Sequence, residues 1–165
     1  YSFHQDCEQA LGLYDESLAA DPFYARTYFE KVEIMSLCAA ELPEDERTAM
    51  YDAMLAALEE GSVLAVEKPG RERAALEAQI PRSWAQAAQY FQSAEAWPYA
   101  LTALERLADY PSDQIPAWNI AYQLAVVHQQ LGNLASAEAA ANEALATAPD
   151  DVRPQIEQFI ATLNE

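Results

Sequence analysis

The 165-residue sequence predicts an all-α fold. Apolar residues recur at i, i+3, i+4 and i+7, which is the period of an amphipathic helix. Few stretches show the alternating, β-branched pattern of a half-buried strand. The 4 glycines and 9 prolines are spaced so that the segments between them fit helices of about 12–17 residues.

Nine helices are expected along the chain. Asp21-Pro22 marks a turn between the first two, and Pro149-Asp150 marks a turn before the last. The acidic residues 44–46 suit a helix N-terminus because they stabilise the positive end of the helix dipole. Gly61 and Gly70 are interpreted as helix stops or loop residues. The predicted helices cover 5–20, 23–40, 44–60, 71–79, 82–94, 97–109, 114–131, 134–147 and 151–163.

Two consecutive segments, 81–114 and 118–151, repeat one pattern of small and large apolar residues. Each contains a helix, a turn and a second helix, and each closes with a proline, Pro111 or Pro149. Self-similarity at such a period is the signature of helix pairs that stack into an array. The aligned residues are Trp84 with Ala121, Phe91 with His128, Trp97 with Leu134, Ala100 with Ala137, Leu104 with Ala141, and Leu107 with Ala144.

This pattern resembles the tetratricopeptide repeat (TPR) family, whose unit is a helix–turn–helix of about 34 residues. The last segment matches through residues 131–133 (LGN) and Pro149, and the preceding one through Trp84 and Phe91. Glu95 departs from the family pattern because it stands where the turn glycine is expected.

The resemblance is clear over 81–151 and partial over 9–60. It implies an α-α superhelix of stacked antiparallel helix pairs, with an irregular insertion around 61–80 and a C-terminal capping helix. We expect one TPR-like domain over 1–165. Because the pattern begins at what resembles a second repeat helix, this domain is expected to be part of a longer chain.

Small residues are expected where two helices pack closely, and large ones where neighbouring pairs leave gaps. The predicted seam contains Ala137, Ala141 and Ala144, and the gaps are assigned to Tyr14, Trp84, Phe91, Trp97 and Leu134. The capping helix carries one apolar stripe, formed by Val152, Ile156, Phe159, Ile160 and Leu163.

The net charge of −18 arises from 27 acidic and 9 basic residues. Such a surface repels phosphate backbones and anionic lipid, which argues against nucleic-acid partners. It favours neutral or basic partners. No run approaches the roughly 18–20 apolar residues that span a bilayer, so no membrane insertion is expected.

No residue pattern points to catalysis, a cofactor or a metal. The chain contains no CxxC, HExxH or glycine-rich phosphate loop. His4, Asp6 and Cys7 are three possible ligands, but a metal site needs convergent ligands and the sequence has only one other histidine and one other cysteine, so no metal site is expected. His128 occupies a column that the repeat fills with an aromatic residue, so we interpret it as a packed stand-in rather than as a base. We therefore expect a non-enzymatic protein.

Cys7 and Cys38 leave two alternatives. If Pro22 marks the turn of a helix pair, both cysteines lie at similar heights on facing helices. A disulfide needs Cα atoms within roughly 7 Å, whereas packed helix axes lie roughly 8–10 Å apart. Two separate buried thiols are therefore favoured over a bridge. A bridge would indicate an exported or periplasmic protein rather than a cytoplasmic one.

In the TPR family, the first helix of each unit lines a concave groove. Transferred by position, the expected groove residues are Arg26 and Phe29 in the early unit, then Arg82, Gln89 and Gln92, and finally Asn119, Tyr122, Val126, Gln129 and Gln130. Chaperone-binding members of the family hold a terminal carboxylate with lysine and asparagine, and these residue types are missing from the matching positions, so an acidic tail is a poor ligand.

The resemblance therefore implies a protein–protein interaction module that binds a partner protein or peptide in the groove, as a scaffold or assembly factor. Two alternatives stay open. The chain is a self-associating repeat protein that forms homo-oligomers, or it is the accessory domain of a larger enzyme.

Overall fold

The computed structural model describes the backbone of residues 3–67 and 71–163. Over these ranges the chain is all helical, with one isolated bridge between Ser112 and Ile115 and no strand, so the predicted all-α class is confirmed. The helices are α1 (Phe3–Ala20), α2 (Ala25–Ala39), α3 (Glu44–Glu67), α4 (Arg71–Ser93), α5 (Trp97–Ala108), α6 (Ala117–Gln130), α7 (Leu134–Thr147) and α8 (Arg153–Leu163).

The chain divides into two compact units, unit 1 (Tyr1–Ser83) and unit 2 (Trp84–Glu165). In unit 1, α2 packs against both α1 and α3. The buried face of α2 contains Phe29, Val32 and Met35, spaced three residues apart. The facing helix α3 contributes Met54 and Leu58, which are both fully buried. The apolar stripes of α2 and α3 thus pack together in the core of unit 1.

Gly61 lies inside α3 and does not end a helix, in contrast to the sequence-based expectation. A Cβ atom at this position would lie 3.0 Å from Cε1 of Phe29 and 3.0 Å from Cβ of Tyr28. The glycine therefore permits close approach of α2 and α3. The helix continues to Glu67 because its packing against α2 outweighs the low helix propensity of one glycine.

The prediction of an irregular insertion around 61–80 is wrong for the described residues of this range. Residues 61–67 complete α3, and residues 71–80 form the first part of α4. Pro81 is buried inside α4, where two separate helices were predicted at 71–79 and 82–94. A proline inside a helix removes one backbone N–H from the hydrogen-bond ladder and crowds the carbonyl four residues before it, so we attribute the continuity of α4 to packing, which includes the buried side chains of Ile80 and Trp84.

Unit 2 contains the second part of α4 and helices α5 to α8. Helix α6 packs against α5 and α7, and α7 packs against α8. The predicted alanine seam is present, because Ala137, Ala141 and Ala144 are all fully buried. Trp84 and Phe91 are buried as expected. Leu134 is not a gap-filling residue, since it is 51% exposed at the start of α7.

The two aligned turns of unit 2 have the same backbone geometry. Glu95 has φ 55° and Gly132 has φ 75°, both in the left-handed region. In each turn, the backbone N–H of the following residue donates a hydrogen bond to the carbonyl oxygen five residues earlier. The N–H of Ala96 donates to the oxygen of Phe91 at 2.8 Å, and the N–H of Asn133 donates to the oxygen of His128 at 2.8 Å. This pairing is the Schellman motif, which ends a helix in an αL residue. Glu95 therefore adopts the left-handed conformation that Gly132 adopts in the aligned turn.

Helix α8 covers one end of the alanine seam. Ile156 is fully buried in a cluster with alanines of α6 and α7, and Val152, Phe159 and Ile160 pack against it. The predicted apolar stripe of the last helix is thus confirmed for these four residues. The packed side of α8 therefore shields the apolar side of α7 from water, while the opposite side of α8 is exposed.

Cys7 and Cys38 form a disulfide between α1 and α2, and the expectation of two separate thiols is wrong. Their Cα atoms lie 5.7 Å apart. The limit of roughly 7 Å applies to the two Cα atoms, whereas the separation of roughly 8–10 Å applies to the helix axes. Each Cα lies about 2.3 Å from its own axis, so axes separated by about 8–10 Å leave only about 3.4–5.4 Å between Cα atoms that face each other directly, which is within the limit for a disulfide.

Among the helices of the described residues, none combines the length and the apolarity needed to cross a bilayer.

Candidate functional site

A chain of side-chain amides joins α4 and α6 in unit 2. Nε2 of Gln92 donates a hydrogen bond to Oε1 of Gln123 at 2.9 Å. Nε2 of Gln123 in turn donates to Oδ1 of Asn119 at 2.6 Å. The three amides are partly buried. Because Gln92 lies on α4 and Gln123 on α6, their hydrogen bond shows that these helices, the first of each aligned segment, approach each other at this point.

Three further glutamines and Val126 extend the face formed by these amides along both helices. On α6, residues 119, 123, 126 and 130 follow each other at helical spacing, and on α4 Gln89 precedes Gln92 by three residues. Gln89 and Gln130 are exposed, and Gln129 is half-buried. We name this face the amide surface; it comprises Gln89, Gln92, Asn119, Gln123, Val126, Gln129 and Gln130.

The amide chain leaves hydrogen-bonding capacity unused. A primary amide offers two N–H donors and two acceptor lone pairs. Gln123 uses one donor and one acceptor within the chain, while Gln92 uses one donor and Asn119 uses one acceptor. Each of the three retains groups that can pair with the alternating N–H and C=O groups of an extended peptide. The mutual bonds also restrict the side chains before a ligand arrives, which lowers the entropy cost of binding.

The predicted groove residues are divided between the two units. Gln89, Gln92, Asn119, Val126, Gln129 and Gln130 belong to unit 2 and share the amide surface. Tyr122 lies on α6 beside them, but its ring packs edge-on against Phe159 of α8, with ring centroids 5.5 Å apart. Tyr122 therefore holds the capping helix and offers a partner only the rest of its ring.

Arg26, Phe29 and Arg82 belong to unit 1. Phe29 is 1% exposed and packs beside Gly61, so it is a core residue that a partner cannot reach. The prediction of Phe29 as a groove residue is wrong because the early helix turns this position toward α3. Arg26 is exposed, forms an ion pair with Glu30 at 3.3 Å and lines a small pocket with Tyr24 and Leu76. Arg82 is exposed on α4.

Sequence reasoning missed Gln123, which connects the amide chain. The transferred family positions include residues 119 and 122 but pass over 123. A local signal was available, since residues four apart on a helix are neighbours and Asn119 and Gln123 form such a pair. The contact with Gln92 could not be found locally, because 31 residues separate the two glutamines.

His128 has a half-buried ring whose Nδ1 is buried and lacks a hydrogen-bond partner among the described residues. A catalytic histidine is normally oriented by a bond to its second nitrogen, and no such bond orients His128 within the described part of the chain. Its interpretation as a packed aromatic stand-in stays a prediction.

No three His, Cys, Asp or Glu side chains come close enough to hold a metal ion among the residues that the structure describes. Cys7 cannot supply a thiolate, because its sulfur is bonded to Cys38. Of the other two candidate ligands, Asp6 is exposed, and the side chain of His4 lies outside the described residues.

Acidic residues gather around two tyrosines in unit 1. The pKa of Tyr14 is raised above its usual value by burial and by the nearby carboxylates of Glu30 and Glu33. The pKa of Tyr28 is also raised, first by burial and then by Glu60. Both phenols are therefore held in the neutral form.

No protein-family model and no curated protein matches this chain. The resemblance to the TPR family therefore stays a prediction from the sequence pattern.

Proposed function

We propose that unit 2 is a TPR-like module that binds an extended segment of a partner protein on the amide surface, without catalysis. The observation that carries this proposal is the chain of partly buried amides from Gln92 through Gln123 to Asn119, which joins two aligned helices. The repeated Schellman turns at Glu95 and Gly132 support a repeat of one structural unit. The buried alanine seam and the covering helix α8 support an array with a closed end.

The chemistry of the amide surface favours a neutral or basic partner segment. Its residues are amides and one valine, and the surface itself contributes no cation that would pair with a carboxylate. The whole chain carries a net charge of −18, which attracts basic segments and repels acidic ones over a distance of about 10 Å. Neutral amides then supply the direct contacts, since they pair with both peptide donors and acceptors.

A peptide library displayed on phage tests this proposal with the oxidised protein as bait. The enriched peptides should be neutral or basic. Gln89→Lys and Gln130→Lys place positive charge at two exposed positions of the amide surface and should weaken the binding of basic peptides about tenfold. Gln155→Lys, an equal charge change at an exposed position of α8, serves as the control.

Circular dichroism of each variant should show unchanged helicity, since none of the three side chains is buried. Enriched peptides that bind the amide-surface variants as well as the control would overturn the assignment of this surface. A library dominated by acidic peptides would overturn the proposed charge preference.

We infer from the Cys7–Cys38 bridge that the protein acts in an oxidising compartment. Cytosolic reductants keep most thiols reduced, and persistent disulfides are typical of exported proteins. Alkylation of cell lysates with a maleimide reagent, before and after reduction, measures the state of the bridge. Thiols that are alkylated without prior reduction would contradict this inference.

Self-association is a second candidate, and one observation favours it. Leu13, Phe23 and Leu37 are each at least 60% exposed in unit 1, and α1 has no fully buried side chain among its described residues. Contiguous apolar patches are typical of surfaces that contact another chain, and these three side chains supply exposed apolar area in unit 1 from which such a surface would be built. Analytical ultracentrifugation at rising concentration tests this candidate, and a monomer throughout would exclude it. No specific observation favours an accessory role in a larger enzyme.

A further inference from the structure

A pocket of about 360 Å³ lies in unit 2 between the end of α5, the loop at 109–116, α6 and α7. Most of its wall is apolar. Helix α6 contributes Ile120 and Leu124, and the loop contributes Ile115. The volume lies in the range of small-ligand sites and accommodates one long side chain.

Two carboxylates are the charged groups of this pocket. Asp113 enters from the loop and Glu143 from α7, and both are exposed. Within the described residues, neither carboxylate has a hydrogen bond or an ion pair with another side chain. With 27 acidic against 9 basic residues, the chain has few cations of its own to place there.

The loop that carries Asp113 has a defined shape. The N–H of Ile115 donates to the backbone oxygen of Ser112 at 3.2 Å, and the N–H of Gln114 donates to Oγ of Ser112 at 3.2 Å. Pro111 and Pro116 restrict the backbone on either side. Asp113 and Ile115 are thus presented together before any ligand binds.

The pocket and the amide surface occupy opposite faces of α6. Residues 117, 120, 121 and 124 line the pocket, whereas 119, 123, 126 and 130 belong to the amide surface. At about 100° per residue, the centres of these two sets are separated by roughly 130–160° around the helix axis. A ligand in one site therefore does not contact the other.

We propose that this pocket binds a basic side chain, lysine or arginine, from a partner protein. The aliphatic stem packs against Ile115, Ile120 and Leu124, and the cationic head lies between Asp113 and Glu143. Basic side chains bury their stems on apolar surface while the head remains in a polar environment, which is the combination that this pocket offers. Because the two carboxylates attract a positive charge, we expect the pocket to prefer a cationic side chain over a neutral side chain of equal length.

Two probes test the proposal by NMR titration of the isotope-labelled, oxidised protein. The first is hexylamine, with 1-hexanol as its neutral match. The second is the capped pentapeptide Ala-Ala-Lys-Ala-Ala, with norleucine replacing lysine as its neutral match. Both cations should shift the backbone signals of Ile115 and Leu124, and each should bind at least threefold more tightly than its neutral match. High salt should reduce that preference because it screens exposed charges.

Isosteric variants identify the charges. Asp113→Asn and Glu143→Gln should each weaken cation binding by about 1.4- to 5-fold, which corresponds to the energies measured for exposed ion pairs. The double variant should bind hexylamine and hexanol equally. Glu138→Gln, a matched change at an exposed position of the same helix α7, should have no effect. Gln130→Lys should also leave the pocket signals unchanged, which separates this site from the amide surface.

Three results would overturn the proposal. The first is equal affinity for the cation and its neutral match in the unaltered protein. The second is a loss of affinity in Glu138→Gln as large as that in Asp113→Asn or Glu143→Gln. The third is binding of hexylamine without binding of the lysine peptide, which would identify a site for small free amines.

Discussion

Gly61 provides the sharpest test of the packing in unit 1. Replacement by alanine inserts a Cβ atom 3.0 Å from Cε1 of Phe29 and 3.0 Å from Cβ of Tyr28. Carbon atoms in optimal contact lie about 3.5–4.0 Å apart, so α2 and α3 must separate by several tenths of an ångström. Phe29 cannot swing away, because its ring is 1% exposed. The Cβ of Tyr28 moves only with the backbone of α2.

Two opposing effects determine the magnitude for Gly61→Ala. Alanine in a helix interior is favoured over glycine by about 1 kcal/mol. Overpacking a well-filled core costs about 1–3 kcal/mol. The expected result is a loss of up to about 2 kcal/mol in the free energy of unfolding. Gly12→Ala is the matched control, since no atom lies within 4 Å of a Cβ built at Gly12 in α1. This variant should gain up to about 1 kcal/mol.

Urea unfolding followed by circular dichroism measures both variants. Because the chain divides into two units, hydrogen exchange of the α2 and α3 amides should accompany it, to assign the change to unit 1. Combining Gly61→Ala with Phe29→Leu should cost less than the sum of the single changes, since the smaller side chain leaves room for the methyl group. If Gly61→Ala stabilises the protein as much as Gly12→Ala does, the close approach of α2 and α3 is refuted.

Three further predictions concern α8, the disulfide and an alkaline transition. Ile156→Ala should lower the free energy of unfolding by about 2–5 kcal/mol because it leaves a cavity under α8; Gln155→Ala, which is exposed, should change it little in the same urea titration. Reduction of the Cys7–Cys38 bridge, which spans a sequence separation of 31, should cost about 3–4 kcal/mol through the added entropy of the unfolded chain. An unchanged Tm under reducing conditions would contradict this. Because the folded pKa of Tyr14 is raised, its contribution to stability is complete below about pH 10 and is lost as the pH rises through the folded pKa. Urea unfolding at neutral and strongly alkaline pH should therefore show a smaller alkaline loss in Tyr14→Phe than in the unaltered protein.

The helices of unit 2 could be predicted well because their signals are local. The periodic apolar residues and the small residues of each helix lie within a few turns of each other, and comparison of the two segments brings out the shared prolines and alanines without any knowledge of the tertiary contacts. Even the departure at Glu95 was visible in sequence, and the structure shows that it adopts φ 55°. A Schellman turn needs one residue in the left-handed region, and tertiary packing can hold a non-glycine residue there at a cost of about 1–3 kcal/mol.

The candidate site could be predicted only in part. Family positions identified Gln92 and Asn119, because the register of a first helix determines which residues share one face. The same transfer placed Phe29 on a binding face, whereas it is buried beside Gly61. It also passed over Gln123, which hydrogen-bonds across to Gln92. Which face of a helix is buried depends on the helix packed against it, and this partner lies far away in sequence.

The sequence by itself determined the helical class, the alanine seam and the acidic surface, because periodicity, side-chain volume and charge are properties of the residues themselves. Only the tertiary structure decided the meaning of Gly61 and the pairing of Cys7 with Cys38. A glycine ends a helix or permits close packing depending on whether another helix lies against it. Two cysteines form a bridge only when their helices turn both Cβ atoms toward each other. Both outcomes depend on distances between residues that are more than 30 positions apart in the chain.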